Sequence, residues 1–500
     1  MRLFFSSVAV LAASYTALAA PSNRTCKITP YDSAWPSASE WSSLNVPIEG
    51  TLLRTTPAAS SCYAGNPFGS STNCTDVTDH WSYAAYHASW PESVDYSIFT
   101  NHSCLPLGVV GCTKERGCAI GAHPVYVVSA TSEEQISTAM RWANDRDIRV
   151  IVKGPGHDMS GRSTGAYALS IRTHNLKHFT HDADWSVTGT NATMNAAILG
   201  AGNNWGSAYN SVHAINRTLI GGEDATVGLG GLIQNGGHGL LSSTHGLASD
   251  SLYQVTSITP DGRRLVANDV QNKELFWAVR GAGGGQFGVV TEFVLATHPV
   301  PESVVTGGLT FSPAARGNSS SANTSLAALV DTARLISDIM DAGLTGTIMA
   351  MTETDPSDCV SVIVNLTGFN MTVAAMNQTV AELSSRLQTA AHARLSRQQI
   401  LRLEQHDFQP SPWSKRADWY EEHTEPVWKE WTGPDGESYA NEGNVFSSTW
   451  KEDFYGPVEN YKRLERIERT VDPKGTLFVW GGVESDNWEY GLRDGWLCRV

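Results

Sequence analysis

A short loop brings anion-binding residue types together with a histidine that could act as a nucleophile. The segment KGPGHDMSGRSTG, from Lys153 to Gly165, contains four glycines. Glycines let consecutive backbone N–H groups converge on an anion without a Cβ in the way, and Lys153 and Arg162 add positive charge. His157 stands in the middle of the loop, on a turn rather than on an amphipathic face. The loop is therefore predicted to bind a diphosphate; a surface turn with a hydrogen-bonded histidine is the alternative.

Two further glycine clusters occur downstream. Nine of the thirty residues from Gly221 to Asp250 are glycine, against about 7% in ordinary proteins. The segment from Glu274 to Thr297 contains Gly281–Gly285 between an aromatic, helix-like stretch and a β-branched strand. Such turns bring the backbone close to a flat or anionic group, although close packing of turns over a sheet would also explain the second cluster. Three separated clusters favour one extended cofactor over three unrelated sites.

The residues around the first cluster predict a βαβ unit. Strands are expected at Val125–Val128 and Ile148–Val152, separated by a helix that begins with a capping box at Thr131–Glu134. The glycine loop follows the second strand, at the carboxyl edge where α/β folds bind ligands. Another strand is expected at Ala168–Thr173, and Leu252–Ala267 is typical of a β-hairpin.

The first residues are typical of a secretory signal peptide. Arg2 precedes an apolar stretch too short to span a bilayer, and cleavage is expected after the small-residue pattern Ala17-Leu18-Ala19. Ten N-x-S/T sequons agree with passage through the secretory pathway. They lie at Asn23, Asn73, Asn101, Asn191, Asn216, Asn318, Asn323, Asn365, Asn370 and Asn377. We therefore expect a secreted glycoprotein.

The cysteines favour disulfide bonds over a metal site. Six of the eight lie in the first 120 residues, and their spacing lacks the paired CxxC pattern of a zinc site. They are Cys26, Cys62, Cys74, Cys104, Cys112, Cys118, Cys359 and Cys498. Because residues 20–119 are also rich in Ser, Pro, Asn and Trp, we expect a stapled arm that wraps the protein body, with the pairing of the cysteines left open.

The composition and charge argue against a nucleic-acid-binding protein and favour a globular one. The formal net charge of -15 and the lack of a basic run argue against nucleic-acid binding. No stretch after the signal peptide approaches the roughly 20 apolar residues of a transmembrane helix. The chain has 500 residues, 41% of them hydrophobic, which is typical of a globular protein with about two to four domains. We expect a monomer.

The C-terminal part differs in character from the glycine-rich part. Residues 300–455 are expected to form a second domain that covers the cofactor face and supplies the substrate pocket, since interdomain clefts commonly bind ligands. Trp, Glu and Tyr accumulate from Trp413 to Trp450 within this domain. An amphipathic helix is predicted from Asn460 to Asp472, followed by a strand and by a tail stapled through Cys498.

Several long motifs in this order resemble the FAD-linked oxidoreductases of the vanillyl-alcohol-oxidase (VAO) type, also called berberine-bridge-enzyme-like, and most closely the secreted fungal isoamyl-alcohol-oxidase-like branch. They are KGPGHDMSGRS, TVGLGGLIQNGGHGLLSSTHGLASD, LFWAVRGAGGGQFGVVT, SYANE and FYGPVENYKRLERIERTVDPKG. The resemblance covers roughly residues 124–499. It implies an α+β fold, with a two-subdomain FAD-binding PCMH-type unit and an α/β substrate domain carrying an antiparallel sheet.

The resemblance also implies the cofactor contacts. His157 matches the histidine that bonds to the 8α position of the flavin. Many relatives carry a second tether through a cysteine two residues before the Thr-Val-Gly of the second cluster, where this chain has Asp224, so a single tether is expected. His238 is an alternative nucleophile. The other expected FAD contacts are Lys153, Gly154, Pro155, Gly156, Asp158, Gly161, Arg162, Ser163, Gly228, Gly230, Gly231, Gly236, Gly237, Asp250, Gly283, Gly284, Gly285, Gln286 and Gly288.

The family's Tyr-x-Asn element suggests the residues that handle the substrate. Tyr439 and Asn441 match it, and Glu442 follows. Tyr439 is predicted to act as base or hydrogen-bond partner of the substrate oxygen, Asn441 to orient it, and Glu442 is a weaker candidate. Tyr439 could instead be a core aromatic residue with a satisfied hydroxyl group.

The resulting hypothesis is a secreted oxidase that removes hydride from an alcohol or related centre of a small molecule, such as a fungal secondary metabolite. Covalent FAD would take the hydride and molecular oxygen would reoxidise it. The alternatives are a carbohydrate oxidase of the same fold and a flavin-free binding glycoprotein; a metalloenzyme lacks HExxH-like spacing. The expected units are a signal peptide (1–19), the arm (20–119), an FAD domain (120–299), a substrate domain (300–455) and a C-terminal segment returning to the FAD domain (456–500).

Overall fold

The computed structural model describes residues 25–113, 116–311, 329–330, 332–352, 360–391, 395–396, 438–491 and 494–500. The predicted signal peptide, the sequons at Asn23, Asn318 and Asn323, and Cys359 lie outside these residues. So does the Trp-rich segment from Trp413 as far as residue 437. Within the described ranges, no helix is long and apolar enough to cross a membrane.

Helices and strands are interspersed along the described residues. The helices are α1 (Ala38–Asn45), α2 (Cys74–His80), α3 (Ala84–Ser89), α4 (Glu133–Asp145), α5 (Trp205–His213), α6 (Leu229–Gln234), α7 (Ser242–His245), α8 (Lys273–Ala278), α9 (Ile336–Asp341), α10 (Val373–Ala391), α11 (Trp450–Tyr455) and α12 (Val458–Val471). The strands are β1 (Leu52–Arg54), β2 (Tyr126–Ser129), β3 (Val150–Lys153), β4 (Leu169–Arg172), β5 (Phe179–Ser186), β6 (Thr193–Gly200), β7 (Arg217–Thr218), β8 (Leu252–Ile258), β9 (Arg264–Ala267), β10 (Val289–Ala296), β11 (His298–Pro299), β12 (Val304–Phe311), β13 (Leu344–Thr352), β14 (Val360–Phe369), β15 (Leu395–Ser396), β16 (Trp488–Tyr490) and β17 (Leu497–Arg499).

Three larger sheets and two two-stranded ones, β7–β11 and β16–β17, organise the described residues. The first has the order β1-β2-β4-β3, in which β2 and β3 both run parallel to β4. The second is antiparallel, with the order β5-β6-β10-β8-β9. The third is also antiparallel, with the order β13-β14-β12-β15. This arrangement of helices, a short parallel sheet and antiparallel sheets confirms the predicted α+β fold.

The arm packs on the first sheet. Trp41 and Leu44 of α1, and Ile48 just after it, share a buried cluster with the apolar residues of β2 to β4 and of α4. Disulfides join Cys62 to Cys74 and Cys104 to Cys118 inside the arm, and Cys26 to Cys498 across the chain. The predicted disulfides and the stapled tail are therefore present, and Cys112 forms no disulfide with another described residue.

Local sequence signals located the elements well, with two exceptions. The side chain of Ser132 accepts the hydrogen bond from Gln135 N that begins α4, so the predicted capping box at Thr131–Glu134 is wrong by one residue. The strand predicted after α12 is wrong as well, because there Leu477 forms only one isolated parallel bridge, to Val150. The hairpin of β8 and β9 agrees with the prediction.

Candidate active site

The three glycine clusters meet at one cavity of about 420 Å³. The loop after β3, the start of α6 and the turn before β10 all contribute to its wall. Sixteen predicted site residues line it: Gly154, Pro155, Gly156, His157, Asp158, Arg162, Ser163, Gly228, Gly230, Gly231, Gly284, Gly285, Gly288, Tyr439, Asn441 and Glu442. The clusters that lie apart in the sequence are therefore adjacent in space.

Close backbone packing brings the first two clusters together. A Cβ on Gly228 would lie only 2.4 Å from the Pro155 ring, so only glycine fits there. Asp158 shapes the first loop, because its Oδ1 accepts hydrogen bonds from Ser160 N and Arg162 N at 2.7 and 2.9 Å. Such side-chain-to-backbone bonds stabilise a turn, where the backbone groups have no partners in a helix or a sheet.

Seven predicted cofactor contacts do not line the cavity. They are Lys153, Gly161, Gly236, Gly237, Asp250, Gly283 and Gln286. Lys153 is buried and its Nζ donates to the carbonyls of His87, Trp90 and Pro155, which ties the arm to β3. Burial lowers the pKa of Lys153 to about 7. In this structure its ammonium group bonds these carbonyls and does not line the cavity.

The other six make contacts outside the cavity lining. A Cβ on Gly161 would meet the Phe99 ring, and Gly236 and Gly237 take φ values of 95° and 75° as the chain turns after α6. Gly283 N donates to the carbonyl of Gln234, in α6. Asp250 Oδ2 accepts from Leu247 N at 2.8 Å, within its own turn. Gln286 Oε1 accepts from Val483 N at 2.7 Å, so its amide faces the C-terminal segment.

His157 lies between two carboxylates. Its Nε2 is 2.6 Å from Thr226 Oγ1, and Thr226 in turn bonds Asp224 Oδ1. On the other side, Asp95 of the arm places Oδ2 3.4 Å from His157 Nδ1. Burial raises the pKa of Asp95 to about 6, against the pull of the His157 and Lys153 charges. The imidazole is therefore held from both sides at the edge of the cavity.

Two residues that line the cavity, Arg162 and Ser163, each carry a buried polar atom without a protein partner within the described ranges. Arg162 donates from Nη1 to Asn235 Oδ1 at 3.0 Å and from Nη2 to Ala440 O at 3.2 Å. Arg162 Nε and Ser163 Oγ are buried and have no partner among the described residues. A guanidinium and a hydroxyl group left unpaired beside a glycine-rich loop suit a polar or anionic ligand.

Four side chains form a second group on the same cavity. Asn441 Nδ2 donates to the Tyr439 hydroxyl oxygen at 2.8 Å, and the His238 ring packs edge-on against the Tyr439 ring. His238 Nε2 lies 3.7 Å from Glu442 Oε1. This pairing raises the pKa of His238 and lowers that of Glu442, while burial raises the pKa of Tyr439 to about 12. The group thus combines a neutral phenol with a carboxylate–histidine pair.

Three residues of the site, Asp95, Thr226 and Asn235, were not predicted from the sequence. Asp95 comes from the arm, 62 residues before His157, and no motif marks it. Thr226 and Asn235 belong to the quoted second cluster, where attention to side chains beside the glycines would have found them. Thr347 of β13 also lines the cavity, so the third sheet reaches the site, as expected of a domain that covers it.

Sequence comparisons agree with this geometry. Residues 124–268 match the FAD binding domain family, and residues 438–478 match the berberine and berberine-like family. The chain is 29% identical to the VAO-type flavoprotein oxidase VAO615 of Thermothelomyces thermophilus, with 95% of each protein aligned. It is 35% identical to the FAD-linked oxidoreductase ZEB1 of Gibberella zeae over 70% of this chain and 58% of ZEB1.

Structural comparison gives the same answer. The crystal structure of MtVAO615 from Myceliophthora thermophila C1 matches with a TM-score of 0.78 at 27% identity, over 95% of this chain and all of the other. The chain belongs to the VAO-type and berberine-bridge-enzyme-like FAD-linked oxidoreductases. The predicted family and FAD cofactor are thereby confirmed. Glucooligosaccharide oxidase from Acremonium strictum, which carries 6-S-cysteinyl, 8α-N1-histidyl FAD, shares the fold, with a TM-score of 0.52 and 18% identity over 72% of this chain and 92% of that one.

The cavity of this VAO-type protein fits FAD. A Cβ on Gly231 would meet no protein atom within 4 Å, and one on Gly230 would come no closer than 3.8 Å to any. Bare backbone therefore borders open space, where a flat ring system can approach. Arg162 and Ser163 also line this cavity, and a guanidinium and a hydroxyl group are side-chain groups that suit an anionic cofactor. Within the described residues, no cluster of three or more His, Cys, Asp or Glu side chains could hold a metal ion.

Proposed function

We propose that this VAO-type protein is a secreted oxidase that converts an alcohol, or a related oxidisable centre of a small molecule, to the carbonyl compound. One substrate molecule and one dioxygen would give one carbonyl product and one hydrogen peroxide. The single observation that carries the proposal is the placement of a neutral phenol, an amide and a carboxylate–histidine pair on the same cavity as His157. Bound FAD would supply the hydride acceptor.

The substrate hydroxyl group needs a proton acceptor while hydride leaves its carbon. Glu442 suits this role, because its carboxylate lines the cavity and, with a pKa lowered by the pairing with His238, is ionised and able to accept a proton. Tyr439 suits a different role. Its oxygen already accepts from Asn441, so its own proton can be donated to the substrate oxygen. The proposal thus keeps Tyr439 as hydrogen-bond partner of the substrate oxygen, one of its two predicted roles, and makes Glu442, the weaker candidate, the proton acceptor.

A covalent bond between His157 and the flavin is part of the proposal. The bond replaces one C–H bond of the flavin 8α-methyl group and the imidazole N–H bond, and the two protons and two electrons released reduce dioxygen to hydrogen peroxide. His157 lines the cavity, and Asp158 holds its loop in place. A catalytic nucleophile needs such a fixed position. Asp224 occupies the place of the second, cysteine tether of many relatives, which supports a single linkage.

The proposed location rests on two features. Three disulfides suit an oxidising compartment, and the N-terminal sequence is typical of a signal peptide. A substrate outside the cell, or in the secretory pathway, would therefore reach the enzyme.

Two measurements test the proposal. Acid-precipitated protein should keep its yellow colour, and His157→Ala should release the flavin into the supernatant; free FAD from the unmutated protein would refute the tether. Anaerobic flavin bleaching should then be followed against primary alcohols, secondary alcohols and oligosaccharides, with peroxide measured after air is admitted. Bleaching by oligosaccharides alone would favour a carbohydrate oxidase, and a colourless protein would favour a binding glycoprotein.

A further inference from the structure

Asp224 takes part in a hydrogen-bonded chain that ends at His157. Asp224 Oδ1 accepts from both Thr226 N and Thr226 Oγ1, each at 2.7 Å. The same Thr226 hydroxyl oxygen lies 2.6 Å from His157 Nε2. The chain therefore has the order Asp, Thr, His, and it starts at the residue that stands where many relatives have a cysteine tether.

The number of protons in this chain fixes which nitrogen of His157 carries hydrogen. Although burial opposes it, the hydrogen bonds from Thr226 lower the pKa of Asp224, so the carboxylate is ionised and can only accept. The single hydroxyl proton of Thr226 is therefore committed to Asp224. Thr226 Oγ1 can then only accept from His157, which places the imidazole proton on Nε2. The lone pair is left on Nδ1.

The second carboxylate is placed to help once Nδ1 forms a bond. Asp95 Oδ2 lies 3.4 Å from Nδ1, and Asp95 Oδ1 is buried without a partner in the described part of the chain. A negative charge at this distance stabilises the positive charge that the imidazole gains as its lone pair is used. Thr226 and Asp224 can then take up the Nε2 proton.

We propose that Asp224, acting through Thr226, is a positioning residue for flavin attachment: it fixes the His157 tautomer and makes Nδ1 the nucleophile. This inference rests on the proposed His157 tether. Nδ1 forms the C–N bond, the methyl group loses one proton, and the Nε2 proton leaves toward Asp224. Two electrons pass with these two protons to dioxygen, giving hydrogen peroxide.

The test compares variants of the intact, flavin-containing protein. Total FAD and the fraction that stays with the acid precipitate are measured at several times after purification in air. Thr226→Val removes the acceptor for Nε2, and we expect the attachment rate to fall at least about ten-fold, as when a histidine loses its orienting partner, with total FAD unchanged. Thr226→Ser keeps the hydroxyl group and should restore the rate. Asp224→Ala should behave like Thr226→Val.

A similar pair elsewhere provides the control. The Thr259 hydroxyl donates to Asp261 Oδ1 at 2.5 Å in the β8–β9 turn, away from the cavity. Asp261→Ala should leave attachment unchanged. Full attachment at the normal rate in both Thr226→Val and Asp224→Ala would overturn the inference and leave the tether standing. Release of all flavin by the unmutated protein would instead refute the tether, and this inference with it. If Thr226→Val does not fold, the attachment rates of Asp224→Ala and of the control Asp261→Ala are compared. Equal rates in these two variants would overturn the inference.

Discussion

The side-chain amide of Asn441 donates a 2.8 Å hydrogen bond to the hydroxyl oxygen of Tyr439. Burial raises the pKa of Tyr439 to about 12, so the phenol stays protonated at neutral pH. Because its oxygen is already an acceptor, its proton is available to a substrate oxygen. Asn441 is itself fixed by a second bond, to the Gly231 carbonyl at 3.1 Å. Asn441 thus links Tyr439 to the second glycine cluster. In this position the two side chains can orient a substrate alcohol.

The first prediction follows from this geometry. Tyr439→Phe keeps the ring but removes the donor, so anaerobic flavin reduction should slow by about 10²-fold, while flavin attachment stays normal. Stopped-flow absorbance at the flavin band measures it. Tyr83→Phe, at a residue that is 59% exposed, is the matched control. Unchanged reduction in Tyr439→Phe would show that Tyr439 is only a packed aromatic residue.

The second prediction concerns pH. His238 lowers the pKa of Glu442, so Glu442 should be ionised, and able to accept a proton, down to acidic pH. In His238→Gln the pKa of Glu442 should return upward, and the acid limb of the pH–rate profile for flavin reduction should move to higher pH. Exposed His213 provides a control, His213→Gln. Glu442→Gln should lose about 10²-fold or more of the rate. An acid limb that does not move would exclude Glu442 as the titrating group.

The third prediction separates cofactor binding from folding. Gly231 lies in α6, and a Cβ there would meet no protein atom within 4 Å. Gly231→Ala should therefore keep or raise the free energy of unfolding of flavin-free protein, by up to about 1 kcal/mol. The same methyl group should obstruct the flavin and lower the FAD content. Denaturant unfolding and FAD absorbance measure the two effects, and a variant with full FAD content would place Gly231 outside the cofactor footprint.

Local sequence signals predicted the backbone of the site. Glycine turns, β-branched strands and the Pro-Asp-Gly hairpin depend mainly on residues close in sequence, and β3, β4, β8 and α12 lie near their predicted positions. The meeting of the three clusters at one cavity was also predictable from the sequence, because each cluster directly follows or precedes a predicted strand. These local patterns therefore predict where the main chain lies at the cavity.

Contacts made by single side chains across long sequence distances could not be predicted in this way. Lys153 is predicted to contact the diphosphate, yet its ammonium group is buried among carbonyls supplied by the arm. Asp95 reaches His157 from the same arm, and nothing in its local sequence indicates this. Both depend on how a stapled, irregular segment folds over β3, which carries no periodic signal.

The last prediction concerns a carboxyl group outside the cavity. Glu468 of α12 is 5% exposed, and its Oε2 has no partner among the residues that the structure describes. Burial raises its pKa well above the ordinary value, and the neighbouring charges of Asp472 and Glu484 raise it further. Glu468 is therefore protonated in the fold under conditions where the unfolded chain ionises it.

The sign of the pH effect follows. The unfolded chain loses this proton near the ordinary glutamate pKa, whereas the folded chain keeps it, so Glu468 reduces stability progressively as pH rises above that value. Glu468→Gln should raise the free energy of unfolding by about 1–3 kcal/mol, with a gain that grows between about pH 5 and pH 8. Urea unfolding across this range measures it, with exposed Glu459→Gln on the same helix as control. A difference from the unmutated protein that stays constant with pH would mean that Glu468 is already ionised in the fold.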